Sequence, residues 1–141
     1  LRRCVAMCQS EANRAFMAAG VVPHVPIAVP ARVLPAVLRL PTPVFTVLAR
    51  AILQVDADGT SSMNDDLTRG RPTEVDILQG EVARIARRVG QRAPVCERVA
   101  ELVHEAEKAG ERRRQWTGDQ LLAELRRAQR RANRAARAAS R

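Results

Sequence analysis

Aromatic residues are almost absent from this chain. They make up 2% of its 141 residues, as Phe16, Phe45 and Trp116. A hydrophobic core must therefore be aliphatic, built from Val, Leu, Ile and Ala. No apolar run approaches the roughly 18 residues that a bilayer-spanning helix needs, so the sequence predicts no membrane span. At this length we expect one domain with a core of its own.

Recognised nucleotide-binding and metal-binding motifs are also missing. The sequence contains neither a G-x-G-x-x-G nor a Walker A loop. Its only histidines, His24 and His104, have no further ligand at metal-binding spacing, so we predict no metal site and expect both to be structural or solvated. Any nucleotide that the protein uses must be held mainly by residues outside this chain.

Cysteines are few, and none forms a C-x-x-C pair. Cys4 and Cys8 are four residues apart and could share a helix face, while Cys96 is far away in sequence. Without a histidine at helical spacing, core packing is favoured over a redox or metal site. We expect reduced thiols and a cytoplasmic protein. The start at Leu1 has no initiator Met and no secretory signal, which we interpret as part of a longer protein.

The net charge of +9 is concentrated at the C-terminal end. Residues 111–141 hold ten arginines against three acidic residues, whereas residues 1–110 hold 14 basic and 12 acidic residues. An Arg-rich helix over 126–141 could follow the phosphates of a nucleic acid. Without aromatic stacking partners, a solvated basic tail is the favoured interpretation, and a nucleic-acid partner is not expected.

Apolar residues recur at helical spacing through most of the chain, which predicts an all-α multi-helix bundle. We predict domain 1–125 followed by a basic, helical or frayed tail over 126–141. The predicted helices span 1–20, 31–40 (interrupted by Pro35), 42 to about 55, 73–90 and 94–110, with a last one opened by the capping box Thr117–Gln120. Their predicted inward residues include Leu1, Val5, Val44, Val75, Leu78, Val82, Val95, Leu102, Leu122 and Leu125.

Two helix starts joined by a break lie at residues 61–76. Ser62 and Asp65 fit a capping box, and Gly70 with Pro72 ends that short helix. Thr73 then opens the next helix, with Glu74 in its first turn. Helix punctuation alone would explain such a pattern, but no other stretch of the chain offers a candidate site.

This stretch carries a resemblance to a known family. The matching residues are Ser61-Ser62-Met63, Asp66, Gly70-Arg71-Pro72-Thr73-Glu74-Val75-Asp76, Leu78 and Gly80-Glu81-Val82. They resemble the signature of the C-terminal helical domain of ketopantoate reductases (2-dehydropantoate 2-reductases), whose fold is of the 6-phosphogluconate dehydrogenase C-terminal type. The similarity covers roughly residues 1–110, including Glu11 and Gly20 in the first helix. Trp116 with Leu121-Leu122 resembles a broader, ketopantoate reductase-like subgroup.

The resemblance implies NADPH-dependent reduction of a 2-keto acid to a 2-hydroxy acid, which serves pantothenate and coenzyme A biosynthesis if the substrate is ketopantoate. An N-terminal Rossmann domain, in cis or in trans, would hold NADPH, and this domain would close over the substrate and support a homodimer. By the same resemblance Ser62 binds the substrate, and Glu74 lies by the reacting carbon and the nicotinamide, as a catalytic and cofactor-binding residue.

The chain also departs from the family pattern. The catalytic lysine and the asparagine one turn later have no counterpart, because the only lysine is Lys108, and Asp58-Gly59-Thr60 stands where the family tends to have a substrate-binding Asn. We therefore expect the isolated chain to be inactive. The alternative is a catalytically inactive helical interaction module, derived from the same scaffold, that self-associates through the 75–89 and 95–103 seams.

Overall fold

A computed structural model describes residues 1–23, 29–52 and 62–139. All regular structure in these ranges is helical, which confirms the all-α prediction. The helices are α1 (Arg2–Ala18), α2 (Leu34–Arg39), α3 (Thr42–Ile52), α4 (Ser62–Thr68), α5 (Glu81–Arg88), α6 (Pro94–Ala109) and α7 (Gly118–Ala139). A π-helical turn, Asp76–Gly80, leads into α5, and a 3₁₀ turn, Gly110–Arg112, follows α6. Among the described residues, no helix combines the length and apolarity that crossing a membrane would take.

Helix α1 lies at the centre of the bundle and packs against α2, α5, α6 and α7. The single apolar stripe predicted for it is wrong, since Leu1 and Val5 are exposed whereas Ala6 and Asn13 are buried. A helix with neighbours on several sides buries positions around most of its circumference. Small residues suit these positions because they let the neighbouring helices approach closely.

The start of α6 is capped by a side chain from α1. Glu11, only 2% exposed, accepts the backbone N–H of Val95 on both carboxylate oxygens (3.1 and 2.9 Å) and that of Cys96 at 2.9 Å. Pro94 has no N–H, and the N–H of Glu97 donates to the carbonyl of Ala93. Every N–H donor of the first turn is thereby accounted for. Burial raises the pKa of Glu11, and the two backbone N–H groups oppose that rise.

Helix α2 and the residues just before it are joined to α1 by side-chain hydrogen bonds. Arg39 donates to the carbonyl of Ala6 at 3.3 Å and to the Ser10 hydroxyl at 2.8 Å. Asn13 donates to the carbonyl of Ala31 at 2.8 Å. The prediction that Pro35 interrupts this helix is wrong. Pro35 lies in the first turn of α2, where a proline has no intrahelical bond to break.

Helix α3 begins at Thr42, as predicted, but the side chains of its apolar face that the structure describes are not fully buried. Val44 is 49% exposed, against the prediction that it points inward. The Arg2 guanidinium anchors the start of the helix by donating to the Thr42 hydroxyl at 2.9 Å and by lying 4.1 Å from the Phe45 ring centre. The predictions for His24, Asp58-Gly59-Thr60, Ser61 and Val55 lie outside the described residues.

The π-helical turn changes which residues of the next helix face the core. Val75 is buried as predicted, but Leu78 is exposed, and Ala83 and Ala86 are the buried residues of α5. A π turn takes more residues than an α turn, so the buried positions shift at the turn, whereas Val82 and Ile85 beyond it still pack against the core as predicted. Gly80 has ordinary helical geometry, and a Cβ there would lie 3.4 Å from an Asp76 oxygen, a normal contact.

Helices α6 and α7 pack together, and Val95, Leu102, Leu122 and Leu125, which are predicted to face inward, lie in one buried cluster. Thr117 and Gln120 form the predicted capping box: each backbone N–H donates to the other's side-chain oxygen, at 3.1 and 3.2 Å. Helix α7 continues to Ala139, so the tail is helical and not frayed there. The division between 1–125 and 126–141 stays a prediction.

An arginine of α6 joins these two helices by ion pairs. Arg98 donates to Glu124 of α7 at 2.9 Å and to Glu101 and Glu105 of its own helix at 2.8 and 2.9 Å. Its side chain is only 23% exposed. The cluster therefore links α6 to α7 and does not serve only as a solvated surface.

The cysteines behave as small core residues, as predicted. Cys4 and Cys96 are buried, and all three thiols are free. Burial raises the pKa of the Cys4 thiol. A high thiol pKa keeps a cysteine protonated and unreactive at neutral pH.

We predict that Glu11→Ala lowers the free energy of unfolding by about 2–4 kcal/mol, because it removes a helix cap and leaves two buried N–H groups without acceptors. Glu11→Gln should cost less, since its amide oxygen can still accept. Urea unfolding followed by circular dichroism measures both. The control Glu111→Ala removes an exposed carboxylate and should change stability by less than about 0.5 kcal/mol. Equal effects at positions 11 and 111 would contradict the capping role.

Candidate functional site

The candidate site is built on the two helix starts that the sequence predicts. Helix α4 begins at Ser62, and Gly70, with φ of 63°, ends it in the left-handed conformation that glycine adopts without strain. Arg71 closes the turn: its backbone N–H donates to the carbonyl of Asp66 at 2.8 Å, and its guanidinium pairs with the Asp66 carboxylate at 2.9 Å. These two contacts join the short helix to the segment that follows it.

Thr73 is held by a carboxylate of α6. Its backbone N–H and its hydroxyl both donate to the same Glu107 oxygen, each at 2.8 Å. The Thr73 hydroxyl also accepts the N–H of Val75, the residue at which the next helical turn begins, at 3.4 Å. Glu74 follows directly, and its carbonyl accepts the N–H groups of Ile77 and Leu78 at 3.1 Å. The Glu107 contact thus fixes the backbone on which Glu74 stands.

His104 extends this contact into a small network. Its Nδ1 lies 2.8 Å from Glu107 and its Nε2 lies 2.9 Å from Asp76. The Glu107 carboxylate, followed by that of Asp76, raises the pKa of His104. Chiefly through the Thr73 N–H, and then through His104, the pKa of Glu107 falls to about 2. We call Thr73, Asp76, His104 and Glu107 the His104 cluster.

Ser62 and Glu74 are both exposed at the surface. No hydrogen bond joins them within the described ranges. Their roles toward substrate and cofactor stay predictions. An exposed serine hydroxyl can donate or accept a hydrogen bond, and an exposed carboxylate can accept one from a substrate hydroxyl. The two side chains are available to a ligand, and the backbone of Glu74 is held in place.

The π-helical turn beside Glu74 has two further features. Ile77 is 73% and Leu78 is 46% exposed, so an apolar surface adjoins the candidate carboxylate. The side-chain oxygen of Gln79 is buried and has no hydrogen-bond partner in the described structure. Single π-helical turns occur frequently at functional sites. Nothing in the residue types of this segment predicts the π turn.

Sequence reasoning missed Glu107 and the partners of His104. The one available signal was the spacing of three residues between them, which places both side chains on one face of a helix. Their partners Thr73 and Asp76 are 34 and 28 residues away along the chain, beyond any local pattern. Among the residues that the structure covers, no group of three or more His, Cys, Asp and Glu side chains could hold a metal ion.

We predict that the His104 cluster weakens as pH rises. The pKa of His104 is raised in the folded protein, so its stabilising contribution is complete below its ordinary value of about 6.5 and is lost as pH rises through the raised value. The difference in unfolding midpoint between the wild type and His104→Gln should therefore shrink above that range. Denaturant unfolding over a pH series measures it.

Asp76→Asn provides an independent check by NMR titration of the His104 ring. Loss of the carboxylate should lower the pKa of His104, whereas Asp119→Asn, a change of the same charge at the start of α7, should leave it unchanged. A His104 that titrates identically in both variants would contradict the contact with Asp76.

Comparison with known proteins identifies the family of this chain. Residues 2–107 match the family described as "Ketopantoate reductase PanE/ApbA C terminal". No curated protein and no solved structure gives a significant match. The matched range covers about three quarters of the chain and contains α1 to α5, most of α6, both helix starts and the whole His104 cluster. The chain therefore belongs to the ketopantoate reductase family, as a C-terminal domain of that family.

Proposed function

We propose that this chain is the substrate-side domain of an NADPH-dependent, 2-dehydropantoate 2-reductase-like oxidoreductase that reduces a 2-keto acid to a 2-hydroxy acid. The observation that carries the proposal is the anchoring of Thr73 by Glu107. It fixes the backbone of the family signature while leaving Glu74 exposed to solvent. A carboxylate that is exposed on a fixed backbone is suited to meeting a substrate that arrives from outside this domain.

The exposed apolar residues beside Glu74 favour a second domain that covers the surface around this carboxylate. Ile77 and Leu78 expose apolar side chains beside the carboxylate. A Rossmann domain, in cis or in trans, would cover them and supply the NADPH site that this chain's sequence lacks. On closure, water would be excluded from the space between Glu74 and the nicotinamide.

In this proposal the two candidate residues have different tasks. Ser62 binds the substrate through its hydroxyl. Glu74 accepts a hydrogen bond from the hydroxyl that forms at the reacting carbon, and it also contacts the nicotinamide side of the cleft. The hydride comes from NADPH, and the proton comes from a general acid that these 141 residues do not provide.

The alternative, an inactive interaction module, has less support. Self-association through the 75–89 and 95–103 seams requires their apolar residues at the surface, whereas Val75 and Val95 are fully buried within the chain. The exposed apolar residues of the first seam, Ile77 and Leu78, lie next to Glu74 and fit a covering domain equally well.

We predict that the 141-residue chain alone does not oxidise NADPH in the presence of ketopantoate, because it has neither a dinucleotide-binding motif nor the general acid. Addition of a family Rossmann domain that carries the lysine, joined in frame or mixed in trans, should produce turnover. NADPH absorbance measures both reactions. Turnover by the isolated chain would contradict the first expectation, and a complete joined protein without turnover would contradict the proposed function.

We predict that Glu74→Gln, in that joined protein, lowers kcat by about 100-fold, the lower range for loss of a group that assists proton transfer. Ser62→Ala should mainly raise KM, by about tenfold, because it removes one hydrogen bond to a charged substrate. Steady-state kinetics separates the two effects. Glu97→Gln, at an exposed position of α6, is the control and should leave both constants within about twofold. If Glu74→Gln behaves like that control, Glu74 has no catalytic role.

A further inference from the structure

A second candidate site lies on the side of α1 that faces α2 and α7. A cavity of about 390 Å³ opens there, lined by Arg3, Met7, Arg39, Leu122, Arg126 and Gln129. Its three arginines come from three different helices, and none of these lining residues carries a carboxylate. We call it the arginine cavity. Its volume falls within the range of roughly 300–1,000 Å³ that is usual for small-molecule sites.

The Arg39 guanidinium is held in place without charge neutralisation. It donates to the carbonyl oxygens of Pro35 and Ala6, both at 3.3 Å, and to the Ser10 hydroxyl at 2.8 Å. All three acceptors are neutral. The guanidinium is therefore ordered before any ligand arrives, and its positive charge remains available to an anion.

Arg3 and Arg126 complete the positive side of the cavity. Both are exposed, and neither makes an ion pair or hydrogen bond with any described residue, in contrast to Arg98, which binds three glutamates. Arg126 is also near enough to the Cys4 thiol to influence its pKa. Burial raises the pKa of Cys4, and the Arg126 charge acts in the opposite direction.

Charge and shape narrow the class of ligand. Three guanidiniums exceed what one carboxylate can neutralise, whereas a phosphate monoester carries up to two negative charges and three terminal oxygens that accept hydrogen bonds from arginine forks. Met7 and Leu122 give the cavity an apolar side that an extended polyanion backbone would not use. Gln129 adds a neutral donor and acceptor.

We infer that the arginine cavity binds the phosphate group of a metabolite-sized organic phosphate ester, with Arg3, Arg39 and Arg126 on the phosphate and Met7 and Leu122 against the organic part. None of its lining residues belongs to the signature around Glu74 or to the His104 cluster. It also depends on α7, which lies beyond the residues that match the family.

Isothermal titration calorimetry of the complete chain with phenyl phosphate tests the inference, with inorganic phosphate and a short oligothymidylate as comparison ligands. Phenyl phosphate should bind at one site per chain and about tenfold more tightly than inorganic phosphate. Arg3→Gln and Arg126→Gln should each weaken it by about tenfold, the size expected for one charge-assisted hydrogen bond. Both positions are exposed and unpaired, so the variants should fold like the wild type, which circular dichroism checks.

The matched control is Arg130→Gln, on the same helix and with the same change in charge, but outside the cavity lining. It should change phenyl phosphate affinity by less than about twofold. Equal losses in all three variants would overturn the inference in favour of unspecific attraction to a basic surface. The absence of saturable phenyl phosphate binding, or equal affinity for inorganic phosphate, would also overturn it. The same holds if the oligothymidylate binds more tightly than phenyl phosphate and every variant loses affinity equally.

Discussion

The contact between Glu11 and the start of α6 determines how the two central helices meet. A carboxylate that is almost fully buried would be costly by itself, because burial removes its hydration. Here the N–H groups of Val95 and Cys96 replace the lost water, and the positive end of the helix dipole favours the negative charge. The contact joins residues 84 and 85 positions apart, so it fixes tertiary structure as well as one helix end.

The candidate site depends on this contact through α6. Glu11 holds the first turn of the helix, Arg98 joins its middle to Glu124 of α7, and Glu107 near its end holds Thr73. A rotation or shift of α6 would displace all three contacts together. The backbone that carries Glu74 is therefore held at one end of α6 and the buried Glu11 carboxylate at the other, through a helix that contributes no side chain assigned to substrate or cofactor.

Local sequence signals predicted most helix boundaries but few of the tertiary contacts. The ends at Gly70 and Gly90 and the box of Thr117 and Gln120 involve residues within five positions of one another, so the sequence contains all that is needed. The cap by Glu11 and the anchoring of Thr73 join residues that are distant along the chain. Spacing alone gives no means of matching such partners. The predicted roles of Ser62 and Glu74 toward substrate and cofactor come from the family signature. Local sequence patterns predict only that both residues lie near helix starts.

The π-helical turn explains why the predicted burial of Leu78 is wrong, and it also bears on the proposed function. Strict helical spacing would bury Leu78 in one seam with Val75 and Val82, and less apolar surface would then be exposed beside Glu74. The wider turn instead leaves Ile77 and Leu78 outside while Val75 stays in the core. Exposing two large apolar side chains costs stability in an isolated domain. That cost is offset when a second domain covers them, and the same surface carries Glu74. In the proposed function, a Rossmann domain would cover this surface, and the irregular turn would then form one wall of the cleft between the two domains.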